Sequence, residues 1–242
     1  MMRIISLVPS LTESLLDFGI IDIVGRTKFC IHPEDQVKDI EIIGGTKNIH
    51  LEKIRALKPD LIFANKEENM KEQVEALMPD FKVWVTNIEN IEDNYYFLKN
   101  LGNMFNQKEK AQAFNLKIYD IFNQYKLNKR IKVAYLIWRR PYMTIGSDTF
   151  IHHLLHQLGF DNIFSGQKRY PVIETEDLAE AEIIMLSSEP YPFQEKHLEE
   201  FRTIYPDKKI MIVDGEAFSW YGTHIAKCEA YYKELVTTIE AR

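Results

Sequence analysis

The sequence of 242 residues contains few cysteines, on which small disulfide-bonded folds and zinc domains depend. It holds two cysteines, Cys30 and Cys228, which lie far apart along the chain. Two thiols are too few for a disulfide framework or for a zinc site made of cysteines. A single disulfide would need a close Cα approach that a sequence does not reveal. We therefore expect a fold held together by an apolar core.

Long apolar runs and concentrated charge are also lacking. No segment reaches the roughly 18 apolar residues that a transmembrane helix needs, and residues 1–10 are too short an apolar stretch for a signal peptide. The net charge is −6 and no basic stripe or tail occurs, so nucleic acid is not an expected partner. We expect a cytoplasmic protein if the chain is complete. If an export signal has been removed, we expect a periplasmic or cell-surface protein.

What the sequence does contain is a regular alternation of short apolar strands and helices. A strand over 3–8 leads into a helix, for which Ser10 and Glu13 predict a capping box and Gly19 predicts the end. Such alternation predicts a parallel sheet covered on both faces. The other predicted strands lie at 21–25, 40–45, 60–64, 81–86, 132–138, 181–187 and 209–215. Asp148 is predicted to cap a helix over 148–159, and a final helix is predicted over 223–240.

Between about residues 91 and 129 the strand signals stop and apolar residues recur at helical spacing. The sequence therefore predicts an α/β protein with two Rossmann-like lobes, each with a parallel sheet, joined by a single long helix. The expected boundaries are 1–105 for the N-terminal lobe, 106–128 for the linking helix and 129–242 for the C-terminal lobe.

Motifs for common catalytic and metal sites are absent. The chain has no dinucleotide fingerprint, phosphate-binding loop or nucleophile elbow. Cys30 and His32 offer two metal ligands and would need two more from elsewhere. His152 and His156 share a helix face without a matching carboxylate, which favours a packed or solvated surface. A bare metal ion is therefore the minority interpretation at both places.

Aromatic residues follow several of the predicted strands. In open α/β sheets the carboxyl edge of the strands is where ligands bind, and aromatic residues in those loops line pockets. The alternative is that these rings pack one lobe against the other. The segments concerned are 137–146 with Trp138, 168–174 with Tyr170, 187–193 with Tyr191, and 216–224 with Trp220 and Tyr221.

Four segments, in this order, resemble the helical-backbone (class III) substrate-binding proteins of ABC transporters for iron–siderophore complexes and vitamin B12. They are "RIISLVPSLTESLLDFGIIDIVGRTKFCIHP", "GGTKNIHLEKIRALKPDLIFA", "WRRPYMTIGSDTFIHHLLHQLGFDNIF" and "RYPVIETEDLAEAEIIMLSSE". The resemblance implies a ligand held between two lobes and little movement on binding. It also implies a large metal complex as ligand, either a corrinoid such as cobalamin or a ferric siderophore.

The same resemblance supplies candidate ligand contacts. Tyr170 matches an aromatic contact of cobalamin receptors, whereas Asn65 stands where those receptors have a further aromatic residue. Coordination of the metal of a bound complex by His32 remains open. The candidates are Cys30, His32, Lys66, Glu67, Trp138, Arg139, Tyr170, Tyr191, Trp220 and Tyr221.

The family also docks on its permease through one acidic residue in each lobe. Glu176 occupies the matching place in the second lobe, and in the first lobe Lys71 and Glu72 compete for it, of which Glu72 is the acidic candidate. An ABC permease is accordingly an expected partner. We expect a monomer without a resident cofactor or a metal of its own.

The leading hypothesis is a non-catalytic binding protein for a metal–organic complex, since the sequence offers no persuasive acid–base pair or activated nucleophile. The alternative is an enzyme of tetrapyrrole or metal handling, such as a chelatase. That enzyme would need a histidine and a carboxylate, for which His32 or His224 with Glu189 could serve. A receptor for free metal ions would need more paired ligands than the sequence contains.

Overall fold

The computed structural model describes residues 2–241, which form two compact units. Unit 1 comprises the chain up to Ile88, then Glu92–Leu116 and Trp220–Lys227. Unit 2 comprises Glu89–Ile91, Lys117–Ser219 and the chain from Cys228 onward. Each unit contains its own parallel sheet, so the protein is an α/β protein of two lobes.

The regular elements are numbered here along the chain. The strands are β1 (Ile4–Ser6), β2 (Ile23–Arg26), β3 (Glu41–Ile42), β4 (Gly44–Gly45), β5 (Asn48–Ile49), β6 (Leu61–Asn65), β7 (Val83–Thr86), β8 (Ile131–Leu136), β9 (Tyr142–Met143), β10 (Phe160–Asn162), β11 (Val172–Ile173), β12 (Ile183–Ser187) and β13 (Lys209–Val213). The α-helices are α1 (Pro9–Asp17), α2 (Glu34–Val37), α3 (Leu51–Leu57), α4 (Lys71–Glu75), α5 (Ile91–Met104), α6 (Lys108–Gln124), α7 (Phe150–Gln157), α8 (Glu195–Ile204), α9 (Gly215–Ser219), α10 (His224–Lys227) and α11 (Glu229–Glu240). A 3₁₀-helix covers Thr175–Glu180.

The sheet of unit 1 has the strand order β3-β2-β1-β6-β7, and its neighbouring strands are parallel. The central strand β1 is buried along its whole length, with Ile4 opposite Leu61 of β6. Strands covered by helices on both faces have continuous apolar runs in place of alternation. The apolar runs in the sequence therefore correctly predicted this sheet.

The sheet of unit 2 has the order β10-β8-β12-β13 and is also parallel. Its strand β12 is buried throughout and pairs with β8 on one side and β13 on the other. Two-stranded antiparallel pieces, β4 with β5 and β9 with β11, lie outside the main sheets. The predicted second α/β series is confirmed by this arrangement.

The helical stretch between the two sheets consists of α5 and α6 with a turn between them, in which Asn106 has a left-handed backbone (φ 55°). Helix α6 carries the chain from unit 1 into unit 2, with the change after Leu116. It is shorter than the expected helix 106–128. Residues 220–227 group with unit 1, although the expected boundaries placed them in the C-terminal lobe.

Two of the predicted helix starts are wrong. Helix α1 begins at Pro9 after the N-cap residue Val8, which suits a proline because its ring fixes a helical φ and the first helical N–H needs no partner. The carboxylate of Glu13 bonds to His224 and Lys227, so Ser10 and Glu13 do not form the predicted capping box.

Helix α7 is capped by Thr149, whose Oγ1 accepts from the backbone N–H of His152 at 3.3 Å. The predicted cap, Asp148, accepts instead from the backbone N–H of Arg169 at 2.6 Å. The predicted final helix is divided at Cys228 into α10 and α11. Its predicted start and end nevertheless lie within a residue of the observed ones.

A buried amide joins three segments of unit 1. The Oδ1 of Asn69 accepts from the backbone N–H of Asn65 at 2.9 Å, and its Nδ2 lies 3.0 Å from the carbonyl of Thr46 and 3.3 Å from that of Leu7. Asn69 is 6 % exposed, so its amide makes these bonds largely shielded from water. The side chain therefore holds the loops that follow β1, β4 and β6.

We expect Asn69→Ala to lower the free energy of unfolding by about 1–3 kcal/mol, the usual cost of leaving buried polar groups unpaired. Urea denaturation measures the change. The matched control is Asn103→Ala, since Asn103 is exposed on α5, and it should change stability by less than about 0.5 kcal/mol. Equal stability of the two variants would contradict the role assigned to Asn69.

Candidate functional site

In unit 1 the ring of Trp220 lies close to two imidazoles. Its centroid is 5.6 Å from that of His32, with 58° between the planes, and 5.0 Å from that of His224, with 49° between the planes. Trp220 is 8 % exposed, while His32 and His224 are half-buried. His32 comes from the loop after β2, and His224 is the first residue of α10. We call this group the Trp220 cluster.

The segment that carries Trp220 is fastened to helix α1. Thr223 donates through its backbone N–H to Ser14 Oγ at 3.2 Å and through its hydroxyl to Asp17 Oδ2 at 2.5 Å. Lys227 Nζ lies 2.6 Å from Asp17 Oδ2 and 2.9 Å from Glu13 Oε1. One face of α1 thus bonds to a segment from the far end of the chain.

Glu13 is the buried member of that face. Its side chain is 5 % exposed, and its Oε2 lies 2.8 Å from Nδ1 of His224. Burial alone would raise the pKa of Glu13, but the hydrogen bonds and charges of His224 and Lys227 bring that pKa below its ordinary value. Glu13 is therefore ionised at neutral pH. A carboxylate accepts hydrogen bonds only, so Nδ1 of His224 carries the proton.

Of the other predicted contacts in unit 1, Lys66 and Glu67 follow the carboxyl end of β6. Lys66 is exposed and Glu67 is half-buried. The side chain of Asn65 fixes this turn, because its Oδ1 accepts from the backbone N–H groups of Glu67 and Glu68 at 2.8 and 3.1 Å. Asn65 is 3 % exposed, so its buried amide serves the backbone of this turn and not the solvent.

Cys30 and Tyr221, both predicted as ligand contacts, are buried in the core of unit 1. Cys30 is 0 % exposed, and its Sγ lies 3.2 Å from the hydroxyl of Thr27. Burial raises the pKa of its thiol above the ordinary value, although hydrogen bonds from neighbouring threonines oppose this shift. Tyr221 is 5 % exposed, packs edge-on against Phe97, and burial raises the pKa of its phenol. A sequence does not show which aromatic loop residues turn inward.

In unit 2, Trp138 lies just beyond the carboxyl end of β8 and is 40 % exposed. The ring of Tyr191 meets it edge-on, with centroids 5.9 Å apart. Tyr191 in turn packs against Phe193 at 4.8 Å and His197 at 5.6 Å. Trp138 is thus an exposed indole supported from below by a packed aromatic group.

His197 fixes that support through a defined tautomer. Its Nδ1 accepts from the backbone N–H of Gln194 at 2.9 Å, at the start of α8, and its Nε2 lies 3.4 Å from the hydroxyl of Tyr191. The imidazole is 3 % exposed, and burial together with the charge of Arg139 lowers its pKa. His197 is therefore neutral at neutral pH and carries its proton on Nε2.

Arg139, the residue after Trp138, pairs with Glu200. Its Nη2 lies 2.7 Å from Glu200 Oε2, and the hydroxyl of Tyr142 donates to Glu200 Oε1 at 3.0 Å. The Nε of Arg139 is buried without a hydrogen-bond partner among residues 2–241. The guanidinium side chain is only 16 % exposed, so it is a preorganised cation.

The remaining candidates are more dispersed. Tyr170 is half-buried in the loop before β11, with the guanidinium of Arg169 5.5 Å from its ring centroid. Glu189, the carboxylate considered for a chelatase, accepts from the hydroxyl of Ser219 at 2.6 Å. Glu72 is exposed in the first turn of α4, and Glu176 is exposed in the 3₁₀-helix.

The structure thus brings His32 together with Trp220 in unit 1, and Trp138 with Tyr191 in unit 2. It adds supporting residues that the sequence did not suggest, namely Glu13, His197 and Glu200. Glu13 and His224 are 211 positions apart, so no local spacing could reveal their pairing. Within residues 2–241, no three or more His, Cys, Asp and Glu side chains are grouped so as to hold a metal ion.

The sequence and fold place this chain in a known family. Residues 4–187 match the periplasmic binding protein family, and this match covers more than half of the sequence. The chain therefore belongs to the periplasmic binding protein family, in agreement with the resemblance noted in the sequence. None of the helices within residues 2–241 combines the length and apolar character required to cross a membrane.

Among proteins of similar sequence are two called vitamin B12-binding protein. The one from Vibrio campbellii is 28 % identical over 183 residues, which are 73 % of this chain and 66 % of that protein. The one from Salmonella typhimurium is 33 % identical over 174 residues, 69 % of this chain and 64 % of that protein. The match therefore spans about two thirds of the length of these relatives.

Solved structures share the fold over nearly the whole chain. The periplasmic vitamin B12-binding protein of Vibrio cholerae superposes with a TM-score of 0.84 at 19 % identity, covering 99 % of this chain and 98 % of that one. The periplasmic heme-binding protein HutB of the same organism gives 0.81 at 18 % identity, covering 98 % of each chain. At these identities the likeness shows the fold.

The buried position of Cys30 predicts its reactivity. In Cys228→Ser, where Cys30 is the remaining thiol, we expect essentially no reaction with a thiol reagent at pH 8 until the protein is unfolded in urea. The thiol is inaccessible, and its raised pKa keeps it protonated. Colorimetric titration measures the reaction, with Cys30→Ser as the matched control. Rapid labelling of native Cys228→Ser would show that Cys30 is accessible after all.

Proposed function

We propose that this chain is a non-catalytic binding protein for a metal–organic complex, and that cobalamin or a related corrinoid is its ligand. The observation that carries the proposal is the exposed indole of Trp138 beyond the end of β8, which packs against Tyr191 and is followed in the chain by Arg139, held by Glu200. An exposed aromatic face and a fixed cation suit a large ligand with apolar surfaces and acidic or amide edges.

The comparisons favour a corrinoid among the ligands of this class. The sequence relatives named above, 28 % and 33 % identical to this chain, are called vitamin B12-binding proteins. A ferric siderophore or heme would use the same kind of surface and is a competing ligand. His32 and Trp220 of the Trp220 cluster, with Lys66, Glu67 and Tyr170, stay predicted ligand contacts, as the family resemblance implies.

The unliganded protein titrated calorimetrically with cyanocobalamin should show saturable one-site binding, tighter than with hemin or a ferric hydroxamate siderophore. Binding of hemin alone would overturn the corrinoid assignment. The proposal that the ligand is a metal–organic complex would still stand. Flat titrations with all three, together with metal insertion into a porphyrin, would overturn the binding function and favour a chelatase.

Trp138→Ala should weaken cyanocobalamin binding by about 1–3 kcal/mol, or about 5- to 150-fold in Kd, the usual scale for an anchoring aromatic residue. Tyr119→Ala is the matched control, because Tyr119 is 57 % exposed on α6 and has no place in the proposed site. Its Kd should match that of the unmodified protein. Similar affinities of the two variants would remove Trp138 from the site.

We further propose that the protein works with an ABC permease and docks on it through Glu72 and Glu176. Both carboxylates are exposed. Lys71, the competing residue, forms an ion pair within α4, since its Nζ lies 3.7 Å from Oε1 of Glu75. Charge reversal of both residues to Arg should reduce ligand uptake by cells, because like charges would then face the arginines expected on the permease. Calorimetric affinity should remain unchanged. Normal uptake by the doubly reversed variant would contradict the docking role.

A further inference from the structure

A buried carboxylate bonds to the histidine beside Trp220. Glu13 is 4 % exposed and lies on α1, outside the loops that supply the proposed ligand contacts. Its two oxygens have different partners, since Oε2 accepts from Nδ1 of His224 at 2.8 Å and Oε1 accepts from Nζ of Lys227 at 2.9 Å. A charge in this position is tolerated only because both oxygens are satisfied.

The bond to Nδ1 restricts the imidazole of His224. A ring held at one nitrogen by a fixed carboxylate has a set tautomer and a narrow range of orientations. That ring is the closer of the two imidazoles near Trp220, with centroids 5.0 Å apart. The orientation of His224 therefore limits the orientations open to the indole.

Asp17 provides an internal comparison on the same helix. It bonds to Thr223 and Lys227 of the same segment, at 2.5 and 2.6 Å, so it anchors the segment through bonds other than the one to Nδ1 of His224. Loss of Asp17 tests anchoring in general, and loss of Glu13 tests anchoring together with the orientation of His224. The two functions can thus be separated by experiment.

We propose that Glu13 is a positioning residue for ligand binding, which acts by orienting His224 and through it the indole of Trp220. This inference rests on the proposed binding function. A side chain on α1 would then affect ligand affinity through Trp220, which comes from the C-terminal part of the chain. Glu13 itself does not touch the ligand.

Glu13→Gln keeps the size of the side chain and replaces its charge by an amide. It should weaken cyanocobalamin binding at least about fivefold in calorimetry, in the range of measured couplings between contacting residues. Asp17→Asn should have a clearly smaller effect, and Glu41→Gln should have none, because Glu41 pairs with the exposed Lys53. Equal weakening by Glu13→Gln and Asp17→Asn would overturn the positioning role.

A cycle with His224→Ala tests whether Glu13 acts through that residue. In the His224→Ala background, Glu13→Gln should cause no further loss of affinity. Additive losses would overturn the proposed route through His224. This arm also serves if Glu13→Gln alone is too unstable to purify, since His224→Ala and its double variant can then be compared directly.

The unliganded protein gives a readout that does not depend on the ligand. With Trp84→Phe and Trp138→Phe, Trp220 is the remaining tryptophan. In this background Glu13→Gln should red-shift the emission of Trp220 and raise its acrylamide quenching, while Glu41→Gln should change neither. Unchanged emission would overturn the positioning role, even if cyanocobalamin does not bind. If the emission changes but cyanocobalamin does not bind, Glu13 still orients Trp220, and the proposed binding function is rejected.

Discussion

The bonds between helix α1 and the segment 220–227 are the interaction on which the architecture of unit 1 depends. This segment contributes only the short helix α10, and it groups with unit 1 while the residues before and after it group with unit 2. Glu13, Ser14 and Asp17 lie on one face of α1 and satisfy backbone and side-chain donors of the segment. The fold thus places an aromatic residue from the end of the chain beside the first helix.

A buried carboxylate is a costly way to make such a connection. Its desolvation is offset only when the partners lie in good geometry, and the loss of one partner leaves an uncompensated charge. Because the pKa of Glu13 is lowered in the folded protein, its contribution to stability is present at neutral pH. That contribution is lost as the pH falls through the lowered pKa. The connection is therefore specific in geometry and conditional on ionisation.

Much of the fold could be predicted because parallel strands buried on both faces give apolar runs, as at β1 and β12. The aromatic pair of Trp138 and Tyr191 could be predicted in part, since an aromatic residue after a strand is a local signal. The pairing of Glu13 with His224 could not, because it joins residues 211 positions apart. The local pattern even suggested a different role for Glu13, as half of a capping box that does not form because the helix starts at Pro9, before Ser10.

The candidate residues also show how the same local signal leads to opposite positions. Trp138 follows β8 and Tyr221 lies between α9 and α10, both in segments rich in aromatic residues, yet the first is 40 % exposed and the second 5 %. Trp138 follows β8 directly and rests on Tyr191, which leaves its outer face open. Tyr221 precedes a glycine at φ 75° and turns inward onto Phe97. Aromatic residues in such segments are thus exposed in one case and buried in the other, and the local sequence does not distinguish the two.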